Sequence, residues 1–62
     1  MSELHTIEHF RRLAPNVQHD LALRFGLVDN GDDRVGYATY LLRAKMRGKM
    51  DQLAEAVQLA PQ

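Results

Sequence analysis

Residues 35–60, VGYATYLLRAKMRGKMDQLAEAVQLA, contain the pattern that decides the fold of this chain. Apolar side chains recur there at three- and four-residue spacing, which places them on one face of a helix. The pattern is interrupted at Gly48, and glycine is the residue type that most often follows the end of a helix. The stretch therefore predicts two helices, at about 34–47 and 50–60, joined by Arg47, Gly48 and Lys49.

Each of these two helices has a predicted buried line. In the third helix of the chain the line, with Leu41 at its border, consists of Val35, Ala38, Leu42 and Met46. In the last helix it consists of Met50, Leu53, Ala54, Val57 and Ala60. A stripe of this kind is typical of a helix that packs one face against a core.

The opposite side of the third helix carries Tyr40, Arg43 and Arg47, which the wheel predicts to be an exposed stripe. Tyrosine and arginine are enriched among the residues that dominate binding energy in protein interfaces. Asp51 and Glu55 lie four residues apart on the last helix and share one of its faces. These five residues are candidate interface residues.

Two further helices are predicted before this stretch, at about 3–14 and 16–25. Pro15 ends the first and opens the second, because it cannot donate a backbone hydrogen bond but suits the first turn of a helix. Gly26 suits the residue after the second. Leu23 points away from the apolar stripe of that helix and is expected to be covered by another helix, with contact to a partner as the alternative. The fold class is therefore all-α, a small bundle of four or five short helices forming one domain over residues 1–62.

An acidic loop precedes the third helix, and its acidic residues are Asp29, Asp32 and Asp33. The Asn-Gly pair inside it predicts a turn with positive backbone dihedrals, and Asp32 or Asp33 is expected to cap the next helix. A calcium loop that began at Asp29 would place Tyr40 where glutamate is needed and Arg34 where glycine is needed. We therefore predict no calcium site, and the three aspartates become candidate contacts for a partner.

Composition narrows the class of protein further. The 62 residues include no cysteine, and eight acidic residues balance eight basic ones for a net charge of zero. Binders dedicated to nucleic acid usually carry a basic excess, so this balance argues against one. No apolar run is long enough to cross a membrane, and the first residues lack a signal-peptide core. We expect a cytoplasmic protein without membrane contact.

Residues suited to catalysis are scarce. The only serine is Ser2, and the four glycines are scattered and form no phosphate-binding loop. His5 and His9 have the spacing of two zinc ligands on one helix, but no third ligand occupies a matching position. We expect exposed histidines, no metal, no cofactor, no small-molecule substrate and no enzymatic activity.

The last stretch also carries a family resemblance. The succession from Leu41-Leu42 and Ala44 through Arg47-Gly48 to Met50-Asp51-Gln52-Leu53 and Ala56-Val57 resembles the end of the bacterial effector-associated, death-like domains. Phe10-Arg11-Arg12-Leu13 and Arg24-Phe25-Gly26-Leu27 resemble earlier helices of the same domains. The resemblance implies a small helical adaptor of bacterial conflict and immunity systems. Such adaptors recruit partners by like-with-like contacts, and some polymerise.

Two main functional hypotheses follow. In the first, the chain binds itself or a related helical domain, and the stripe at Tyr40, Arg43 and Arg47 meets acidic residues of a neighbouring copy. Those acidic residues are Asp51 and Glu55, or Asp29, Asp32 and Asp33. In the alternative, the chain is a small helix-turn-helix regulator whose helix 34–47 contacts DNA through its arginines. A docking module for one unrelated protein is a third possibility.

Overall fold

The apolar spacing and the helix-ending residues produce four α-helices of ten residues each in the computed structural model, which describes residues 3–32 and 35–60. They are α1 (Glu3–Arg12), α2 (Pro15–Arg24), α3 (Tyr37–Met46) and α4 (Met50–Leu59). The predicted all-helical bundle is confirmed. The largest difference in boundaries is at α3, which begins three residues later than the sequence pattern predicts.

The helices α2 and α3 end in the same way. Gly26 and Gly48 take positive φ values of 69° and 68°. Behind them, the backbone N–H of Leu27 donates to Ala22 O at 2.7 Å, and the N–H of Lys49 donates to Ala44 O at 2.8 Å. These bonds define the Schellman motif, in which a glycine turns the chain sharply at a helix end. Both glycine positions are confirmed as helix ends.

The end of α1 is capped by a side chain from the next helix. Gln18 is buried, and its Nε2 donates to Phe10 O at 2.9 Å, to Leu13 O at 3.1 Å and to Arg11 O at 3.3 Å. Carbonyl groups at a helix C-terminus have no partner inside the helix and are costly to bury unpaired. One amide therefore satisfies the end of α1 and fixes α2 against it.

The core is made of apolar side chains from all four helices and from the residues just after α1 and α2. Its buried members are Phe10, Leu13, Leu21, Ala22, Leu27, Tyr40, Leu41, Ala44, Leu53 and Val57. The helix α4 packs against α1 and α3, and α3 also packs against α2. The predicted face of α4 is confirmed at Leu53 and Val57, which are almost fully buried.

The acidic loop forms a turn of its own. Asp32 N–H donates to Asp29 O at 3.2 Å, and Asp29 N–H donates to Asp32 Oδ2 at 2.7 Å. Gly31 takes a φ of 91°, whereas Asn30 does not have a positive φ. Asp32 thus caps this turn and not α3, whose N-cap is Gly36 without a side-chain hydrogen bond. The predicted cap at Asp32 is wrong, and Asp33 lies outside the described residues.

Some side chains expected in the interior lie at the surface. Leu23 is exposed, because no other helix covers that side of α2, so its predicted burial is wrong. Leu4 is also exposed at the start of α1, whereas Thr6, Phe10 and Leu13 are buried where α1 faces its neighbours.

Candidate interaction surface

Three basic side chains from α3 and the residues after it bind the segment that follows α2. Each of them donates to one of three consecutive backbone carbonyl oxygens. Lys49 donates to Phe25 O at 2.7 Å, Arg47 donates to Gly26 O, and Arg43 donates to Leu27 O at 2.9 Å. Carbonyl groups at a helix end carry partial negative charge, so cations suit them. We call Arg43, Arg47 and Lys49 the basic clamp; it holds the ends of α2 and α3 together.

The same arginines form ion pairs with the acidic loop. Arg43 Nε lies 3.3 Å from Asp29 Oδ2, and Arg47 Nη2 lies 3.0 Å from the same oxygen. The guanidinium of Arg43 also binds both carboxylate oxygens of Asp32, with Nη2 at 3.2 Å from Oδ1. The hydrogen bond from Arg43, followed by the one from the backbone N–H of Asp29, lowers the pKa of Asp32. The bond to Asp32 raises the pKa of Arg43.

The prediction that Tyr40, Arg43 and Arg47 form an exposed stripe on α3 is therefore wrong. Tyr40 is only 5% exposed, and its hydroxyl lies 3.1 Å from Nδ1 of His19 on α2. Arg43 is mostly covered, and Arg47 is half-exposed and bound to Gly26 and Asp29. The physical reason lies in the segment after α2, because the carbonyls of Gly26 and Leu27 accept from the arginine side of α3.

The acidic loop and the arginines do meet, but within one chain. One of the two alternatives predicted from the sequence was a contact of this loop, with Asp29 and Asp32, to Arg43 and Arg47 of a neighbouring copy. The structure places all four together between α2 and α3 of a single molecule. The DNA-binding alternative relies on the same two arginines, and both of them bind oxygens of their own chain in this structure.

The line predicted to be buried on α3 is the exposed one. Leu42 is 60% exposed and Met46 is 76% exposed, and Ala38 one turn earlier is exposed as well. We call Ala38, Leu42 and Met46 the outer line of α3. The prediction of a buried line at these three residues is wrong, because α3 turns its tyrosine and arginine side towards α2 and so leaves this side to solvent.

An apolar groove lies beside the outer line, between α1 and α3. It has a volume of about 410 Å³, and its apolar lining comes from Ile7, Tyr37, Ala38, Leu41, Leu42 and Met50. Single exposed apolar residues are common on protein surfaces, but a contiguous apolar patch is a mark of an interaction site. Here an exposed leucine borders a groove with an apolar floor, so the patch is contiguous.

A second, more polar groove adjoins the first one, between α1 and α4. Its volume is about 520 Å³, and Asp51 and Glu55 line it. Glu3, Lys45 and Met50 line both grooves, so the two form one continuous face. We call this face, together with the outer line of α3, the groove face. The candidate interface residues Asp51 and Glu55 therefore lie on it, whereas the other described candidates lie around the basic clamp.

The charges of the groove face are accessible to solvent. Lys45 Nζ lies 3.2 Å from Glu3 Oε1, and both side chains are largely exposed. An ion pair this exposed contributes little to stability and exchanges partners easily. Asp51 and Glu55 are exposed and form no ion pair with any other described residue. Exposed acidic groups thus line the same groove as a lysine whose ion pair is open to solvent.

The histidines on α1 lie close together. The ring centroids of His5 and His9 are 4.4 Å apart, and His5 is exposed while His9 is partly covered. Within residues 3–32 and 35–60, no group of three histidine, aspartate or glutamate side chains is arranged to hold a metal ion. The two rings therefore contact each other on one helix.

Comparison with known proteins gives no match. No family model, curated protein or solved structure matches the chain. The resemblance to death-like domains thus stays a prediction from the sequence. In the described part of the chain, none of the helices has the length and the apolar character that crossing a bilayer takes.

Proposed function

We propose that this chain is a non-catalytic protein-interaction module that binds a second copy of itself through the groove face. The observation that carries the proposal is the contiguous apolar surface formed by the α1/α3 groove and the outer line of α3. Leu42 and Met46 together expose a large apolar area, and covering such area is favourable. The immune setting implied by the resemblance remains a prediction about context and is not needed for the contact.

Size and charge support a second copy as the occupant. A chain of 62 residues buries a small core and gains stability by association. Its net charge of zero means that two copies do not repel one another. A standard interface buries about 800 Å² per partner. That area is under a fifth of the 4313 Å² surface of this chain, so one face is sufficient.

The contact differs from the one that the sequence suggested. Arg43 and Arg47 already bind Asp29, and Arg43 also binds Asp32, within the molecule. Breaking those bonds to form equivalent ones with a neighbour would gain nothing. The groove face offers apolar area and exposed charge instead, so association through it needs only the exposed ion pair between Lys45 and Glu3 to change partners.

Sedimentation equilibrium across a wide concentration range tests the proposal. We expect the wild type to associate and Leu42→Glu to be monomeric, because a glutamate there would be buried without a partner. Leu23→Glu is the matched control: Leu23 is also an exposed helical leucine, but it does not line the groove face. Circular dichroism checks that both variants keep their helices. A wild type that stays monomeric at about 1 mM, or a Leu42→Glu variant that associates normally, would contradict the proposal.

A further inference from the structure

We infer that two copies pair through a two-fold symmetric contact of their groove faces, with Lys45 of each copy facing Asp51 and Glu55 of the other. This inference rests on the proposed function and gives the contact a symmetry, an orientation of charges and a stoichiometry. It predicts a closed dimer and excludes an open chain of copies.

We infer two-fold symmetry because the side chains that project from one copy also line the groove that would receive the other copy. Leu42 projects from α3 and also lines the groove between α1 and α3. Lys45 likewise projects from α3 and lines both grooves. An open chain of copies needs two separate surfaces, one for each neighbour, whereas a two-fold contact uses the same surface on both copies. Once this single face is covered, no equivalent face is left for a third copy.

The groove face carries both basic and acidic residues, so two copies of it can be complementary in charge. Lys45 is the basic residue that lines the two grooves, and Glu3, Asp51 and Glu55 are the acidic ones. Within one molecule Lys45 reaches Glu3, and the pair is exposed to solvent. Two-fold symmetry brings the lysine of each copy to the acidic groove of the other, which forms the same contact twice. The apolar outer lines then lie between the two charged contacts, where water is excluded from them.

Charge reversal separates this arrangement from other modes of association. In Lys45→Glu, both contacts of a dimer would join acidic groups, and in Glu55→Lys each contact would set a second lysine against Lys45, with Asp51 as the remaining acidic group. Either variant alone is expected to associate at least about tenfold more weakly than the wild type, because like charges face each other twice. In a mixture of the two variants, a Lys45→Glu copy and a Glu55→Lys copy restore both attractive contacts. We expect a one-to-one heterodimer with an affinity close to that of the wild type.

Reversals elsewhere on the surface provide the control. Arg24→Glu and Glu8→Lys change the net charge by the same amounts as the two test variants, and both positions are exposed and away from the grooves. Each control variant is expected to form homodimers as the wild type does, so overall charge attraction cannot explain rescue by mixing. Circular dichroism before mixing establishes that each variant is folded.

The possible results distinguish this inference from the proposed function. A wild type that remains monomeric overturns both. Association beyond two copies overturns the two-fold contact, as does a mixture that fails to recover. Loss of association in Leu42→Glu still supports the proposed function in those cases. A wild-type mass of two copies, weak association of each variant and rescue by mixing support the inference in full.

Discussion

The side chain of Arg43 links α3 to the segment that follows α2, because Nη1 donates to Leu27 O at 2.9 Å and also binds the carboxylate of Asp32. One guanidinium thereby pairs a backbone carbonyl after α2 and a charged loop. Arginine suits this position because its planar group presents several donors in fixed directions, which lysine does not. The contact holds α3 in a rotation that buries Tyr40 and exposes Leu42.

The ion pair at Asp32 predicts a specific dependence of stability on pH. The folded chain lowers the pKa of Asp32 below its ordinary value of 3.8, chiefly through the hydrogen bond from Arg43. The stabilisation is therefore complete above that ordinary value and is lost as the pH falls through the lowered pKa. Urea unfolding of the wild type and Asp32→Asn between pH 7 and pH 2 measures it. The wild type should be more stable at neutral pH, and the difference should shrink in acid; a constant difference would contradict the prediction.

The cap on α1 predicts that Gln18→Met destabilises the chain although it keeps the side-chain volume. Methionine cannot donate, so the carbonyls of Phe10 and Leu13 lose a buried partner. We expect the free energy of unfolding to fall by about 1 to 3 kcal/mol. The control is Gln52→Met, at an exposed position of α4. Equal stability of the two variants in urea unfolding would show that the cap contributes nothing.

The end of α3 predicts that Gly48 tolerates asparagine better than alanine. An added Cβ at Gly48 would meet no atom within 4 Å, so crowding is not the reason. Its φ of 68° disfavours L-residues, and alanine should cost about 1 to 2 kcal/mol. Asparagine visits this region more readily and should cost less. Thermal unfolding of the two variants measures the order, and the reverse order would contradict the prediction.

The rotation of α3 predicts opposite results at two neighbouring leucines. Leu41 is 7% exposed and Leu42 is 60% exposed. Leu41→Ala should therefore lower the free energy of unfolding by about 2 to 5 kcal/mol. Leu42→Ala should change it by less than about 0.5 kcal/mol. Urea unfolding at a concentration too low for association compares them directly, and each is the control for the other. A larger loss at Leu42 would mean that α3 is rotated the other way.

The helical wheel predicted the wrong buried side of α3 because this helix carries two apolar stripes. Val35, Ala38, Leu42 and Met46 form one stripe, and Tyr37, Tyr40, Leu41 and Ala44 form the other. The second follows the spacing i, i+3, i+4, i+7 that is typical of a core-facing helix, and it is the one that packs. A further signal is the matching position of Ala22 and Ala44, each four residues before a helix-ending glycine. Both are fully buried.

The sequence by itself determined the elements of this protein. Pro15, Gly26 and Gly48 act through local backbone geometry, so the helix boundaries follow from the residues around them. Only the tertiary structure decided which side of α3 faces inward. That choice depends on the basic clamp, which reaches carbonyls just after α2 over 16 to 24 positions of sequence. Hydrogen bonds between distant residues leave no periodic trace in the chain, so the exposed groove face emerged only once the helices were packed.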